Sequence, residues 1–477
     1  MKKLNITFCS YPDYSGNAKA LYEYMIKRYN NNMNYTWIVY NQKTVDRLHK
    51  LGIKSILIGT DEFKKYIPKT NVFFTTHANL IGDKLKAKNS IYVELWHGIG
   101  PKPVGYLIKN QSDRDKEWYD LINNNFDYMI TPSEFWRNIF ASMFRLNPNR
   151  VLPLGLPLLD EIKNSNGKVN LSKLLNIDLN KYKKLILYAP TFKKGCGRDL
   201  ESKFNSNNIL NLKEYDEKKF LNFLKEENYL FIIKRHPSDE LKYNDVENDN
   251  IKIINNKKLE ENNLNVNNIL NSFDLLITDY SSIGVEYSFL NKPVLYLSTD
   301  VFDYKNNREI IFDDFSFWTS GNECNNLNEL MKVIKTMKFN KFENRKLFFS
   351  NLKDGGCDKI CDFFFTEDCQ LSYNVQKYEN DYVKLMNKNN KLIRINKTYE
   401  EKIRILKKSD DELQKILHSR SYKIVQKINK IRKMVVSKKW VKRKWFINFC
   451  LLCLHIWYYC WVIILVILLK VIIVLIL

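Results

Sequence analysis

The chain is poor in the residues that build loops and special sites. Among 477 residues there are 15 Gly and 11 Pro, which excludes collagen-like and low-complexity classes. No Walker A run occurs, and no G-x-G-x-x-G follows a strand-like segment, so the common glycine-built phosphate loops are missing. The D-x-D at Asp113-Arg114-Asp115 has no apolar strand before it; it reads as a helix start. The nine Cys lack metal-ligand spacing. Cys357, Cys361 and Cys369 cluster with no His nearby, so they read as ordinary thiols in a reducing compartment. No metal and no resident cofactor are expected. After Met1-Lys2-Lys3 the apolar run is too short for a secretory leader, and Tyr11-Pro12-Asp13 interrupts it.

Acidic residues are also in deficit, 53 against 76 basic ones, for a net charge of +23. The imbalance is local. Residues 371–445 hold 22 basic and 7 acidic side chains, a net +15, whereas residues 1–370 carry only +7. A basic tail on a mildly basic body does not call for a nucleic-acid partner. The chain is rich in apolar residues, 45% in all and 14% aromatic, which excludes a largely disordered protein. Its length suits two or three domains with full cores.

The tail is patterned for a membrane. Residues 446–469 contain no Lys, Arg, Asp or Glu, and ~20 apolar residues span a ~30 Å hydrocarbon core. A basic cluster with two Trp, SKKWVKRKW, precedes them, as expected of a cytoplasmic flank and interfacial anchor. A buried core helix would carry some polar face. Residues 446–477 are therefore expected to form a hydrophobic membrane helix. Residues 366–445 read as a basic amphipathic connector, as in SYKIVQKINKIRKMV, lying on anionic lipid. A solvated linker helix or coiled coil is the alternative. The body should then sit on the cytoplasmic side of the cell membrane.

The body alternates short apolar runs with amphipathic ones. LNITFC, YTWIVY, SILIG, NVFFTT and IYVELW read as strands in the first 160 residues. KKLILYAPT, YLFIIKRHP, FDLLITDYSS and KPVLYL repeat the rhythm after residue 181. The pattern predicts an α/β protein with two doubly wound, Rossmann-type domains, 1–160 and 161–365, facing a cleft. A long polar insertion starts at Gly195.

Ligands of open α/β sheets bind beyond the carboxyl ends of the strands. Four strands here end in unusual polar residues. Trp96-His97-Gly98, with Lys102 close behind, suits a general base beside glycine that leaves backbone room; a lone His is otherwise structural. Tyr188-Ala189-Pro190-Thr191 with Lys193 and Lys194 can donate to phosphate oxygens, or be an ordinary loop. Lys234-Arg235-His236-Pro237 puts three potential cations in a row, which points to an anion. Thr278-Asp279-Tyr280-Ser281-Ser282 stands where a helix begins, as a phosphate site or a plain N-cap.

The four motifs occur together and in order. In that combination the chain resembles the CDP-glycerol glycerophosphotransferase family of teichoic acid synthesis, over roughly residues 1–365. Trp96-His97-Gly98 with Lys102 and Gly105 resembles its W-H-G-T-P-L-K-K-L-G element. Tyr188 to Thr191 resembles Y-A-P-T, and Arg235-His236-Pro237 resembles R-H-P. Thr278 to Ser282, with Glu286 and Lys292-Pro293, resembles T-D-Y-S-S…D…K-P. The departures are Ile99-Gly100-Pro101 in place of T-P-L, Leu158 in place of an Arg, and Glu286 in place of Asp.

The resemblance implies a GT-B fold and a set of roles. His97 would take the proton of the attacking hydroxyl. His236, with Arg235, would hold the diphosphate of the substrate. Thr191, Ser281 and Ser282 would bond its phosphates, and Asp279 would order their turn. Gly98, Lys102 and Glu286 would belong to the substrate site. The reaction implied is transfer of glycerol phosphate from CDP-glycerol, or of another polyol phosphate from its CDP ester, to a lipid-linked polyprenyl acceptor at the membrane, with CMP released. The alternatives are a GT-B glycosyltransferase using a nucleotide sugar and a non-catalytic membrane-bound homologue.

Overall fold

The computed structural model describes residues 3–77, 90–109, 111–113, 115–116, 119–120, 126–191, 208–210, 212, 214–235, 247–350, 352–375 and 381–437. Two compact units divide the chain, residues 1–380 and 381–477.

The first unit contains two sheets. Strands β1 (Asn5–Cys9), β2 (Asn34–Val39), β3 (Ser55–Leu57), β4 (Val72–Thr75), β5 (Ile91–Glu94), β6 (Tyr128–Ile130) and β7 (Val151–Leu152) form one, ordered β3-β2-β1-β4-β5-β6-β7. Strands β8 (Lys184–Tyr188), β9 (Tyr229–Ile233), β10 (Ile251–Ile253), β11 (Leu275–Thr278), β12 (Val294–Leu297) and β13 (Glu323–Cys324) form the other, ordered β10-β9-β8-β11-β12-β13. All pairings are parallel. Such strands are covered on both faces and need no polar side; β4 and β9 are buried at every position. The register sets Phe8 between Trp37 and Phe74, and its ring stacks on both at 5.5 Å.

Strand order reverses between β1 and β4 and between β8 and β11. Crevices open at such reversals, so the ends of β4, β5, β8 and β11 are where chemistry is expected.

The chain passes between the sheets twice, and the two passages interlock. Gly155 and Gly356 have φ of +147° and +92°, and a Cβ on either would strike the other passage's backbone, at the Gly355 and Leu154 carbonyls. Asp160 ties the passages together, accepting from the Gly355 N–H at 2.7 Å and the Cys357 N–H at 2.9 Å. The helix Cys357–Phe364 that follows packs on the first sheet, with Phe364 5.6 Å from both Phe74 and Tyr128. Its apolar face needs cover that β1, β4 and β6 supply, so the last residues of the span 161–365 lie against the amino-terminal sheet.

The second unit shows two helices, Asp381–Leu417 and Arg420–Ser437. Leu392, Tyr399, Leu406, Ile424 and Ile431 are exposed on them. Among the described residues no helix is long and apolar enough to cross a membrane. The expected membrane helix at 446–477 lies outside the described residues.

Candidate active site

The carboxyl end of β5 makes a strained turn. Trp96 has φ +58°, a left-handed conformation that costs a bulky residue ~1–3 kcal/mol. The surroundings hold it there. Its N–H donates to Glu94 Oε1 at 2.7 Å, and its carbonyl accepts from Asn17 Nδ2 at 2.9 Å. Its ring packs edge-on to Phe140 and Phe144. The turn carries His97 into the cleft.

His97 Nδ1 lies 3.3 Å from the carbonyl oxygen of Thr76, at the end of β4. A carbonyl only accepts, so Nδ1 holds the proton and Nε2 keeps its lone pair. The side chain is exposed at the cleft, yet protein surrounds it elsewhere. Poor hydration of the charged ring pushes its pKa below the ordinary histidine value, partly offset by the Thr76 bond. The arrangement is a neutral base.

Across the cleft stands the helix Ser282–Ser288, with Ser281 at its N-cap. The His97 loop reaches it closely. A Cβ on Gly98 would lie 2.7 Å from Glu286 Oε1 and 3.2 Å from Ser282 Oγ, and one on Gly100 would lie 3.1 Å from the Ser282 Cα. Only glycine permits this approach. Glu286 is 6% exposed. Burial pushes its carboxyl up to about 7, and the nearby Ile99 N–H and Ser282 hydroxyl pull it down less than burial raises it. Its Oε1 has no hydrogen-bond partner among the described residues. A proton or a ligand hydroxyl there would satisfy it.

Asp279 joins two of the four motifs. Its Oδ1 accepts from the backbone N–H groups of Thr191 and Tyr280, both at 2.7 Å. The turn after β11 is thereby tied to the end of β8. Thr191 Oγ1 and Asp279 Oδ2 have no partner among the described residues. Tyr280 donates to Asp300 at 2.9 Å and stacks on Tyr304 at 3.9 Å; Lys102 Nζ lies 6.0 Å from the Tyr304 ring.

Two adjoining cavities share His97 and Ser282. One, of about 240 Å³, is lined by Trp96 to Lys102, Trp136 and Ser281. The other, of about 330 Å³, is lined by Asp13, Lys19, Arg47, Lys234, Asn267 and Glu286, among others. The structure therefore brings His97, Gly98, Lys102, Ser281, Ser282 and Glu286 to one place. It puts Thr191 and Asp279 in the turn beside them. Arg235 is 2% exposed and donates to the Ile209 carbonyl at 3.1 Å, over the Tyr188 ring; its neighbour Lys234 lines the larger cavity. His236, Lys193 and Lys194 lie outside the described residues.

Sequence reasoning missed His77, whose ring stacks on His97. The signal was present. His77 follows NVFFTT just as His97 follows IYVELW. Asn17 was also missed. It is fully buried and bonds Leu95, Trp96 and Leu158 at once.

The chain is similar to known proteins over most of this fold. The family model described as CDP-glycerol:poly(glycerophosphate) glycerophosphotransferase matches residues 1–355. The teichoic acid glycerol-phosphate primase of Bacillus subtilis (strain 168) is 31% identical over 259 residues, covering 53% of this chain and 61% of the primase. The chain thus spans about three-fifths of that relative's length. The teichoic acid glycerol-phosphate transferase of Staphylococcus aureus (strain NCTC 8325 / PS 47) is 24% identical over 74% of this chain and 90% of its own. Among solved structures, the wall teichoic acid polymerase TagF aligns with a TM-score of 0.57 at 21% identity, covering 82% of this chain and 90% of its own. A variant of that polymerase soaked with CDPG aligns at 0.55, also at 21% identity, over 82% and 89%. The TagF likeness establishes the GT-B-like fold. With the family model matched from Met1 through both sheets, the chain belongs to the CDP-glycerol:poly(glycerophosphate) glycerophosphotransferase family.

Proposed function

We propose that this protein moves glycerol phosphate, or a similar polyol phosphate, from CDP-glycerol or another CDP-polyol to a hydroxyl of a lipid-linked, teichoic-acid-like or cell-surface polymer precursor. The observation that carries this reading is the neutral His97 base facing Ser281, Ser282 and Glu286 across a cleft with Lys102 and Lys234 in its walls. Family membership and the CDPG-soaked polymerase support the donor.

In this reading the acceptor oxygen attacks the phosphorus next to glycerol. His97 Nε2 takes the hydroxyl proton. The bond from that phosphorus to the bridging oxygen breaks, and its electron pair leaves with CMP. Negative charge spreads over the phosphoryl oxygens, so fixed donors and cations carry most of the catalysis. Ser281, Ser282 and Thr191 supply hydroxyls, Lys102 and Lys234 supply positive charge, and His236 is assigned to the diphosphate. Arg235 shapes the strand end that presents Lys234. Glu286 meets a polyol hydroxyl. The basic helices and the apolar segment 446–477 hold the body at the cytoplasmic face of the cell membrane, next to a lipid-linked acceptor.

The test is CMP release with CDP-glycerol, CDP-ribitol and a lipid-linked acceptor analogue, with mass analysis of the product. Release with one CDP-polyol and an acceptor lengthened by that unit is expected. No release with any CDP-polyol, or turnover of a nucleotide sugar instead, would sink the proposal.

A further inference from the structure

Two imidazoles stand face to face in the cleft, and the proposed transfer uses one. The His77 and His97 rings are nearly parallel, with 4.4 Å between centroids and 11° between planes. Thr76 serves both. Its carbonyl accepts from His97 Nδ1 at 3.3 Å. Its hydroxyl accepts from the Tyr11 N–H at 3.3 Å and lies 2.9 Å from His77 Nδ1. Tyr11 meets the His77 ring edge-on at 5.8 Å, and the His77 N–H donates to Thr75 Oγ1 at 3.1 Å. His77 is thus held from three sides before it touches His97.

We propose that His77 is a positioning residue for His97: its flat face keeps the His97 ring from turning, so that Nδ1 stays on Thr76 and Nε2 stays aimed into the cleft. This rests on His97 being the base of the proposed transfer. A half-turn of an unsupported imidazole about its Cβ–Cγ bond puts Cδ2 where Nδ1 stood and Cε1 where Nε2 stood, so the Thr76 bond is lost and a carbon faces the substrate. Stacking against a fixed ring blocks that turn. The pair also resists double protonation, since two cations at this separation repel. Burial and the His97 ring together hold the His77 pKa down to about 3, so His77 remains a neutral surface. The charged groups around the same cleft are Asp13, Lys19, Arg47, Lys234, Glu260 and Glu286, with Lys102 in the adjoining cavity.

The experiment compares the full chain with His77→Ala and His77→Phe by nuclear magnetic resonance of labelled histidine and by the pH profile of kcat/KM. In His77→Ala water reaches the uncovered face of His97. Its titration and the acid limb of kcat/KM should then rise together, and kcat should fall by about tenfold or more. His77→Phe keeps a flat face and should restore most of kcat. An unchanged His97 titration and kcat in His77→Ala would overturn the inference. So would a His77→Phe variant as impaired as His77→Ala, because stacking would then not be the cause. If His97 titrates higher in His77→Ala while kcat/KM is unmoved at every pH, the stack stands and the base role of His97 falls.

Discussion

In the proposed transfer His97 acts through the lone pair on Nε2, and its neighbours keep that lone pair available. Replacing it by Asn preserves size and one hydrogen bond while removing the base. The expected result is a kcat about 10²–10⁴-fold lower, with a melting temperature close to that of the parent; full activity in the variant would discard the assignment. Glu286 makes a separate prediction through its raised pKa of about 7. Below the ordinary carboxylate range both folded and unfolded states hold the proton, and no penalty arises. Between pH 4.5 and 7 the unfolded chain ionises while the folded one stays protonated. Stability therefore falls as pH rises through that window, by on the order of 3 kcal/mol in total, and then levels. Glu286→Gln should flatten this slope and be the more stable protein at pH 8. Thermal melts of both proteins from pH 4.5 to 8 check it; parallel curves would show that the carboxyl ionises freely.

The strand-to-loop turns are the elements that aim these residues. β5 presents His97 through a left-handed residue at Trp96, and Asn17 on the helix Gly16–Tyr29 braces it. Asn17→Ala leaves the carbonyls of Leu95 and Trp96 and the N–H of Leu158 without their bonds. The loss should be about 2–4 kcal/mol, read by urea titration, together with lower kcat because the His97 turn loosens. An unchanged urea midpoint would mean that the turn holds itself. Much of this level was legible beforehand. β1, β2, β4, β5, β8, β9, β11 and β12 stand out as apolar runs because a strand buried on both faces needs one. β3 was also read, within SILIG, whereas β7, β10 and β13 were missed, because none of them holds three consecutive apolar residues.

At the scale of the whole molecule, Glu161 is the polar junction between the two sheet domains. It accepts from Lys19 Nζ at 2.9 Å, and from the side-chain amides of Asn265, Asn267 and Asn268 at 2.9–3.2 Å. Lys19 and Glu161 are 8% and 4% exposed at their side chains. Removing one member of such a buried pair strands the other, at a cost of about 3–5 kcal/mol. Glu161→Ala should therefore lower stability by that order in a denaturant melt, whereas a loss below 1 kcal/mol would show that water replaces the carboxylate. The tail has its own test. Truncation near Lys439 should give a protein recovered without membranes that still acts on a water-soluble acceptor; recovery only in membranes would contradict the anchor at 446–477.

Composition and order by themselves determined the class of the protein. Buried parallel strands must be apolar throughout, so the two doubly wound halves are written in the runs that form them. Cations and hydroxyls stand at strand ends, so the Trp96-His97-Gly98, Thr191, Lys234-Arg235 and Asp279-Ser281-Ser282 motifs could be picked out with no partner in view. Spacing along a chain carries no information about which strand ends meet. Only the tertiary structure could put Gly98 against Glu286, join Asp279 to Thr191, turn Lys234 to the cleft while burying Arg235, and lay His77 flat on His97. The scarcity of glycine is thereby sharpened. With 15 in 477 residues, Gly98, Gly100, Gly155 and Gly356 stand at contacts between distant segments, where the absence of a Cβ lets backbones close on one another.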